Sequence, residues 1–269
     1  MSNHKLKNRI KKIKRGFLIW RILILLLVNL WLDNLIFKIF RTNRDKKNKV
    51  QIKRAKWFTN QLIELGSAFI KIGQLLSARP DLIPNTWIQE LSKLQDQVPQ
   101  FSYTKVEEII QKELGHKFSE INQITSTPIG SASLAQVHKA TLKDGKEVVF
   151  KVQRPNLKNL FTIDLNIMQQ IAFIIQKNKN WSRGRNWVAI AKECRKVLMK
   201  ELDFKCEAQY AARFRQQFLD DENVEVPEVI WNLSTEKVLC LSYLEGTKIS
   251  DVEKLKSKNI DLSKIAEIG

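Results

Sequence analysis

One lysine of the chain lies inside an apolar stretch, which is an unusual place for a charged side chain. Lys151 stands between Phe150 and Val152 in the stretch 147–153, whose polar and apolar residues alternate as in a β-strand. Lysine is seldom buried without an anionic partner, so its ammonium group is expected to meet a carboxylate or a phosphate. The same alternation can point the side chain into solvent, and for a lysine taken by itself that alternative is favoured.

A loop of small residues precedes the predicted strands. The segment 128–138 has the sequence PIGSASLAQVH, and its small residues are Gly130, Ser131, Ala132 and Ser133. Small side chains let the backbone approach a ligand closely, and backbone N–H groups can then bind phosphate oxygens. The pattern is neither of the common glycine-rich phosphate motifs, and alone it is more typical of a plain turn.

Acidic residues cluster on a predicted helix further along the chain. The segment 200–208 has the sequence KELDFKCEA. Asp203 and Glu207 are four residues apart and share a helix face, whereas Glu201 points elsewhere. Such a cluster is usually a solvated face, but here it adjoins apolar side chains. Glu207 is therefore a candidate partner for Lys151.

A fourth segment with polar residues on a helix is FIKIGQLLSARPDLIP, residues 69–84. Lys71 and Gln74 are three residues apart on one predicted face. Gly73 costs about 1 kcal/mol relative to alanine inside a helix, which indicates a close approach by another element. Spacing alone does not distinguish this arrangement from ordinary polarity on a helix surface.

The elements that must position these residues follow the order helices, hairpin, helices, strands. The first helical pattern runs from Trp57 to about Arg79, because Pro80 disfavours helix in the residue before it. This order predicts an α+β fold with helices packed on a small antiparallel sheet. Further helices are expected after residue 84 and over 103–114, 157–176 and 187–218, with a fresh start at 203, and strands over 135–142, 147–153, 224–231 and 237–243.

The positive charge of the chain is concentrated at its N-terminus. The 269 residues, 43% of them hydrophobic, contain 46 basic and 28 acidic side chains, which excludes collagen and low-complexity disorder. Residues 1–60 hold 17 basic and 2 acidic side chains, which leaves 29 basic and 26 acidic in the other 209. A nearly balanced body therefore follows a basic arm.

The arm combines basic clusters with an apolar run from Phe17 to Leu32, interrupted by Arg21 and Asn29. The run is short for a membrane span, which needs about 20 apolar residues. We expect it to lie on, or dip into, an anionic membrane face. Its charge and length also fit a secretory signal, but no A-x-A-like cleavage site follows. An ordinary first helix is another alternative, and a nucleic-acid arm fits the charge but not the apolar run.

Cysteines and histidines predict neither disulfides nor a metal site. The cysteines are odd in number and form no C-x-x-C pair, and the histidines do not cluster with them. A reducing compartment is therefore expected. These residues are Cys194, Cys206, Cys240, His4, His116 and His138.

Taken in order, the four segments resemble the UbiB/ABC1/ADCK (AarF-type) family of atypical protein-kinase-like proteins. KIGQ at 71–74 matches its K-x-G-Q motif, and ELD at 201–203 its E-x-D motif. The segment 128–138 matches the alanine-rich loop, and FKVQRP at 150–155 matches the strand with the nucleotide lysine. Glu207 matches the helical partner of that lysine, and the residues around 239–246 resemble the hinge after the N-lobe. The resemblance covers about residues 57–269.

The resemblance implies a kinase-like N-lobe with an N-terminal helical extension. The domains would be a membrane-associating arm at 1–56, the extension at 57–120 and the N-lobe at 121–269. ATP or ADP would be the bound nucleotide, with Lys151 at the α- and β-phosphates, Glu207 holding it and the loop 130–133 as a cover. The implied regulatory cluster consists of Lys71, Gly73, Gln74, Glu201 and Asp203.

The resemblance also implies a role in prenyl-quinone lipid synthesis at the cytoplasmic side of a membrane. Expected partners are an anionic membrane surface and quinone-synthesis proteins or a prenyl lipid, and no nucleic acid. The rival interpretation is a non-catalytic membrane scaffold.

The sequence departs from the family pattern at two places. Gly130 and Ser131 stand where the family usually has alanines, and the H-x-D-x-H-x-G-N and D-F-G-like segments of the C-lobe do not occur. Those segments supply the catalytic base and the ligands of Mg²⁺ in the family. We therefore expect no catalytic or metal-binding residue in this chain, and no ATP turnover by it alone.

Overall fold

A computed structural model describes residues 2–40, 43–95, 100–178, 182, 184–249 and 251–268, with side chains from residue 13 onward except that of Gln95. Helices and one antiparallel sheet confirm the α+β class. The helices of the described residues are α1 Ser2–Ile39, α2 Arg44–Leu65, α3 Ser67–Ser77, α4 Asn85–Ser92, α5 Tyr103–Leu114, α6 Leu157–Lys177, α7 Trp187–Lys200, α8 Phe204–Gln217, α9 Val252–Ser257 and α10 Leu262–Ile268. The strands are β1 Ile121–Ile124, β2 Gly130–Ser131, β3 Ala135–Leu142, β4 Glu147–Gln153 and β5 Val238–Ser242.

The chain forms two compact units, each assembled from separate stretches of sequence. The first comprises Met1–Lys105, Gly130–Gln136 and Gln153–Leu202, and the second comprises Val106–Ile129, Val137–Val152 and Asp203–Gly269. The domain boundaries expected from the sequence at residues 56 and 120 stay predictions.

The first unit begins with helices that differ from the sequence-based expectation. One helix was expected from Trp57 to about Arg79, but α2 already begins at Arg44 and ends at Leu65. Gly66 follows at a φ of +85°, and α3 starts directly after it. This left-handed backbone conformation suits glycine, which has no Cβ to clash. The apolar periodicity continues across the break and therefore does not reveal it.

The core of the first unit contains a buried ion pair as well as apolar side chains. Arg15 of α1 donates from Nε and Nη2 to the two carboxylate oxygens of Asp164 of α6, at 2.8 and 2.7 Å. Burial raises the pKa of Asp164, and the hydrogen bonds from Arg15 oppose that rise. The pair thus holds α1 against α6. The apolar core around it includes Ile19, Ile22, Phe69, Leu91, Phe161 and Leu198.

The second unit contains most of the sheet, whose strand order is β1-β3-β4-β5, with β2 pairing with β3. The predicted hairpin of β3 and β4 is confirmed, and Gly145 adopts a φ of +87° in its turn. Strand β4 pairs antiparallel with β5, with Lys151 opposite Leu239. Val148 and Phe150 are fully buried on one face of β4, so Lys151 belongs to the other face.

The prediction of a strand over 224–231 is wrong. Only an isolated bridge between Val229 and Leu241 forms there, and a short 3₁₀ helix, Trp231–Leu233, follows. Pro227 has no N–H group to donate to a strand partner, which disfavours a regular ladder. The strand predicted over 237–243 is confirmed as β5.

Within the described residues, one helical segment is long and apolar enough to cross a membrane, Ile13–Ile39 in α1. About a tenth of its most apolar stretch is buried, at 11%.

Candidate nucleotide site

Lys151 lies on the half-buried face of β4, and it finds the carboxylate partner that its position requires. Its Nζ donates to Oε1 of Glu207 at 2.5 Å. The side chain is 27% exposed, and Nζ also stands 5.2 Å from the centroid of the Phe204 ring. The solvent-directed alternative is thereby excluded, and the lysine is held in one place.

Glu207 is positioned by the start of helix α8. Asp203 is the N-cap of that helix, and its side-chain oxygen accepts from the Lys205 N–H at 3.0 Å. The cap fixes where the helix begins, and Glu207 follows in its first turn. The carboxylate remains 43% exposed, so the ion pair is open to solvent. An ammonium group has three N–H donors, and those not used by Glu207 can bind phosphate oxygens.

The small-residue loop of the first unit is an ordered turn that returns to the sheet. Gly130 and Ser131 form β2, and the Ala132 N–H donates to the Ala135 carbonyl at 2.8 Å. Ser133 is buried at 4% exposure, whereas Ala132 is exposed. At Ala132, the exposed residue of this turn, the small side chain lets a ligand approach the backbone closely, as a phosphate-covering loop needs.

Sequence reasoning missed Arg154, which anchors this loop. Its guanidinium donates to the carbonyl of Ala132 and to Oγ of Ser131, both at 3.1 Å. It also stacks over the Phe101 ring at 5.5 Å, and burial lowers the pKa of the guanidinium. An arginine after a strand gives no sequence signal for such a role, because both acceptors lie more than twenty residues earlier in the chain.

The residues expected to form a regulatory cluster have separate partners. In the first unit, Lys71 Nζ of α3 contacts Oε2 of Glu201 at 2.8 Å, with both side chains partly exposed. Gln74 instead donates to the Leu94 carbonyl at 2.9 Å. In the second unit, Asp203 caps α8. The structure therefore pairs one basic and one acidic member of the expected cluster.

Gly73 allows the close packing that its place inside a helix indicates. A Cβ built at this position would lie 2.4 Å from a Leu94 methyl carbon and 2.9 Å from one of Leu62. These distances are shorter than side-chain contacts in folded proteins, so α3 approaches α2 and the residues after α4 through this glycine.

Comparison with known proteins shows which family this chain resembles. Residues 93–269 match the ABC1 atypical kinase-like domain. The chain belongs to the ABC1 atypical kinase-like family. This confirms the resemblance drawn from the four motifs.

Relatives of this ABC1-family chain occur in bacteria and plants. It is 41% identical over 95% of its length to an uncharacterized Synechocystis protein and 40% identical over 94% to the chloroplastic protein ACTIVITY OF BC1 COMPLEX KINASE 7 of Arabidopsis thaliana. It is 35% identical over 97% to a probable protein kinase UbiB of Cellvibrio japonicus. The chain spans 44%, 37% and 47% of these relatives, respectively.

A solved structure shares the fold. The Mycobacterium tuberculosis protein Rv3197, determined in complex with erythromycin, matches 79% of this ABC1-family chain with a TM-score of 0.53 and 28% identity. The match covers 54% of Rv3197.

The described residues of this ABC1-family chain offer no site that fits a resident Mg²⁺ ion. No group of three or more histidine, cysteine, aspartate or glutamate side chains in the described parts of the chain could hold a metal. Lys151 and Glu207 are committed to each other, and Asp203 to its helix cap.

The first unit also contains an apolar cavity of about 590 Å³. Helices α3, α6 and α7 form its walls, and nearly all lining side chains are apolar. Arg79 and Glu193 are the charged residues among them, and Cys194 contributes a thiol whose pKa is raised by burial. Cavities of roughly 300–1,000 Å³ with this character hold small apolar ligands in many proteins. Sequence reasoning did not find it, since its lining comes from three separated helices.

Proposed function

We propose that residues 1–269 form the nucleotide-binding portion of a UbiB-type atypical kinase or ATPase-like protein, which supports prenyl-quinone lipid synthesis at a membrane. ATP or ADP is the proposed nucleotide. The observation that carries the proposal is the 2.5 Å ion pair between Lys151 and Glu207, one on a strand and one on a capped helix. In kinases, a strand lysine held by a helical glutamate binds the α- and β-phosphates.

The exposure of the pair supports a ligand rather than a purely structural role. A salt bridge between two partly exposed side chains contributes little to folding, typically about 0–1 kcal/mol. Lys151 is 27% exposed and Glu207 43%, so the ammonium is accessible to an incoming phosphate. The pair thus holds a cation in a defined place at little cost to stability.

Thermal unfolding with and without ATP or ADP tests the nucleotide proposal. Nucleotide at about 100 times its dissociation constant stabilises by roughly 2.7 kcal/mol, which a melting curve resolves. We expect the shift to disappear in Lys151→Met and to shrink strongly in Glu207→Gln. The matched control is Lys237→Met, which breaks the exposed Lys237–Glu113 pair of 2.6 Å in the same unit and should keep the shift. A full shift in Lys151→Met would overturn the proposal.

The proposal includes binding without turnover by residues 1–269. The expected absence of a catalytic base and of Mg²⁺ ligands supports it, since phosphoryl transfer needs both. Phosphate release from ATP with Mg²⁺, measured on purified 1–269, is expected to stay at the level of Lys151→Met. Hydrolysis that Lys151→Met abolishes would contradict this part and leave nucleotide binding intact.

A second candidate function, a non-catalytic membrane scaffold that binds a prenyl lipid, is favoured by the apolar cavity of the first unit. Its walls offer hydrocarbon contact to a prenyl tail, and the volume of about 590 Å³ suits a small ligand. Melting curves with a short-chain ubiquinone test it. Ala191→Trp fills the cavity and should abolish the shift, whereas Ala189→Trp on the exposed side of α7 should keep it. A quinone shift without any nucleotide shift would favour the scaffold.

Membrane association is the third part of the proposal, at the cytoplasmic side of the bilayer. The 17 basic and 2 acidic side chains of residues 1–60 and the apolar length of α1 support it. Deleting α1 is a poor test, because Ile19 and Ile22 are part of the core. Point variants on the exposed side of α1 are the appropriate perturbation.

A further inference from the structure

Helix α1 carries a stripe of exposed apolar side chains on one face, with further exposed apolar side chains beside it. The stripe is defined by Phe17, Ile24, Val28, Trp31, Leu35 and Ile39, whose spacings of three, four and seven place them on one helix face. Each of these side chains is between 41% and 72% exposed. From Phe17 to Ile39 the stripe extends about 33 Å along the helix.

The opposite face of α1 is fixed to the first unit. Ile19 and Ile22 are buried at 3% exposure each, and Arg15 makes its bidentate pair with Asp164. Counted at 100° per residue, these residues lie across the helix from the stripe. The helix therefore docks with one face and presents the stripe with the other.

The far half of α1 runs antiparallel beside the polar half of α2. Arg54 of α2 donates from Nε and Nη2 to the carboxylate of Asp33, at 2.7 and 2.9 Å. Nearer the end of α1, Lys47 Nζ stands 5.6 Å from the centroid of the Phe37 ring. Helix α2 carries seven basic side chains and two acidic ones, so this neighbour of α1 is strongly polar.

This neighbour is incompatible with α1 as a simple membrane span. A spanning α1 would carry the Asp33–Arg54 pair and the lysines of α2 into the hydrocarbon, where charged side chains are costly. The core contacts of Ile19 and the buried Arg15–Asp164 pair would have to break as well. A helix that lies along the surface keeps all of these contacts.

We propose that α1 lies in the plane of an anionic bilayer surface, with the α1 stripe in the acyl boundary and α2 on the water side. This inference rests on the proposed membrane association and specifies its geometry. Charge complementarity selects the occupant, since α1 itself contains nine basic residues and one acidic residue. Arg21 and Lys38, exposed near the stripe, have stems long enough to reach the lipid phosphates.

Vesicle binding tests the occupant of the stripe. Flotation uses vesicles of phosphatidylglycerol and phosphatidylcholine mixed equally, and vesicles of phosphatidylcholine alone. The double variant Phe17→Ser/Trp31→Ser is expected to bind the anionic vesicles at least about tenfold more weakly, because two large apolar side chains are lost. The control Trp231→Ser removes an aromatic side chain of similar exposure, 53%, outside α1 and should bind normally.

The outcomes of this test distinguish between a bilayer and a second copy of the chain as the occupant of the stripe. Weaker binding by the stripe variant supports the bilayer. If the wild-type chain is dimeric without lipid, and Phe17→Ser/Trp31→Ser makes it monomeric without changing vesicle binding, a second copy occupies the stripe and the proposal is overturned. If the wild-type chain binds neither vesicle, the proposed membrane association itself fails, while the nucleotide result stands independently.

Depth measurement tests the orientation. Single cysteines replace Phe17, Val28, Ile39 or Asn29 in a chain whose own three cysteines are alanine, and each carries a fluorescent NBD label. Quenching by lipids with spin labels at two depths should place positions 17, 28 and 39 at one shallow depth, and position 29, on the docked side, in water. A deep position 28 between two shallow ends would show a spanning helix and refute the in-plane geometry.

Discussion

Replacing Arg15 with methionine should destabilise the chain, because the substitution leaves the carboxylate of Asp164 without its cation. Asp164 is 0% exposed, and both of its oxygens accept from the Arg15 guanidinium. The guanidinium also donates to the Leu65 carbonyl, so three helices meet at this side chain. Methionine keeps much of the length of arginine and removes only the charge and the donors.

The expected cost follows from the burial of the two partners. Removing one member of a buried ion pair costs about 3–5 kcal/mol, since the other charge is stranded. Arg15 retains 17% exposure, which admits some water and places the expected loss near the lower limit, about 3 kcal/mol. The double variant Arg15→Met/Asp164→Leu strands no charge, so it should be more stable than Arg15→Met alone.

The pH dependence has a definite sign. Burial raises the pKa of Asp164 in the folded chain, and Arg15 opposes that rise. Without Arg15 the folded-state pKa therefore lies further above the unfolded value. A raised folded-state pKa means that the folded chain binds the proton more tightly. Part of the stability lost in Arg15→Met should thus return as the pH falls towards the unfolded pKa, and disappear as the pH rises through the folded one.

Urea unfolding followed by tryptophan fluorescence measures these effects at neutral and at mildly acidic pH. Arg21→Met, which removes an exposed arginine of the same helix, is the control and should change the unfolding free energy by no more than about 0.5 kcal/mol. The pair does not hold α1 as described if Arg15→Met lowers the unfolding free energy as little as Arg21→Met does. The same holds if the loss in Arg15→Met/Asp164→Leu equals the sum of the losses in its two single variants.

Three further predictions concern single side chains. Gly73→Ala should lower the unfolding free energy by about 1–3 kcal/mol through overpacking, whereas Gly246→Ala, which enters open space, should change it little; equal melting temperatures would contradict this. Asp203→Glu keeps the charge but is a poorer cap, so the unfolding free energy should fall by about 1 kcal/mol and the nucleotide-induced shift of the melting temperature should be smaller. Unchanged values of both would show that the charge alone matters. Burial raises the pKa of Cys240 to about 12. In the folded chain at neutral pH, a maleimide should therefore modify the partly exposed Cys206 and not Cys240. Equal rates of modification, measured by mass spectrometry, would refute this.

The central hairpin and the nucleotide pair were predictable because their signals are local or carried by a motif. Alternation over 147–153 and the turn glycine Gly145 define β4 and its connection to β3. The partner of Lys151 lies 56 residues away, and Glu207 was singled out by the apolar side chains beside it and by the family resemblance. The helical periodicity predicted which face of α8 carries Glu207, but not which strand that face would contact.

Features that depend on distant contacts were not predictable in this way. Arg15 and Asp164 are 149 residues apart, and neither stands in a pattern that singles it out. No sequence pattern marks Arg154 as the loop anchor, and the apolar periodicity is not interrupted at the break at Gly66. The partners of Arg15 and Arg154 are supplied by tertiary packing, whereas hydrophobic spacing reports only which face of an element is buried.

The two acids of the E-x-D motif show why spacing and residue type must be considered together. Glu201 is the C-cap of α7, and its longer side chain reaches the Lys71 ammonium at 2.8 Å. Asp203 has an extended backbone, and its short side chain accepts from the N–H two residues ahead. A cap requires a short acceptor, and an ion pair across two helices requires a longer reach. Glu201 therefore acts within the first unit through α3, and Asp203 acts within the second unit through the helix that carries Glu207.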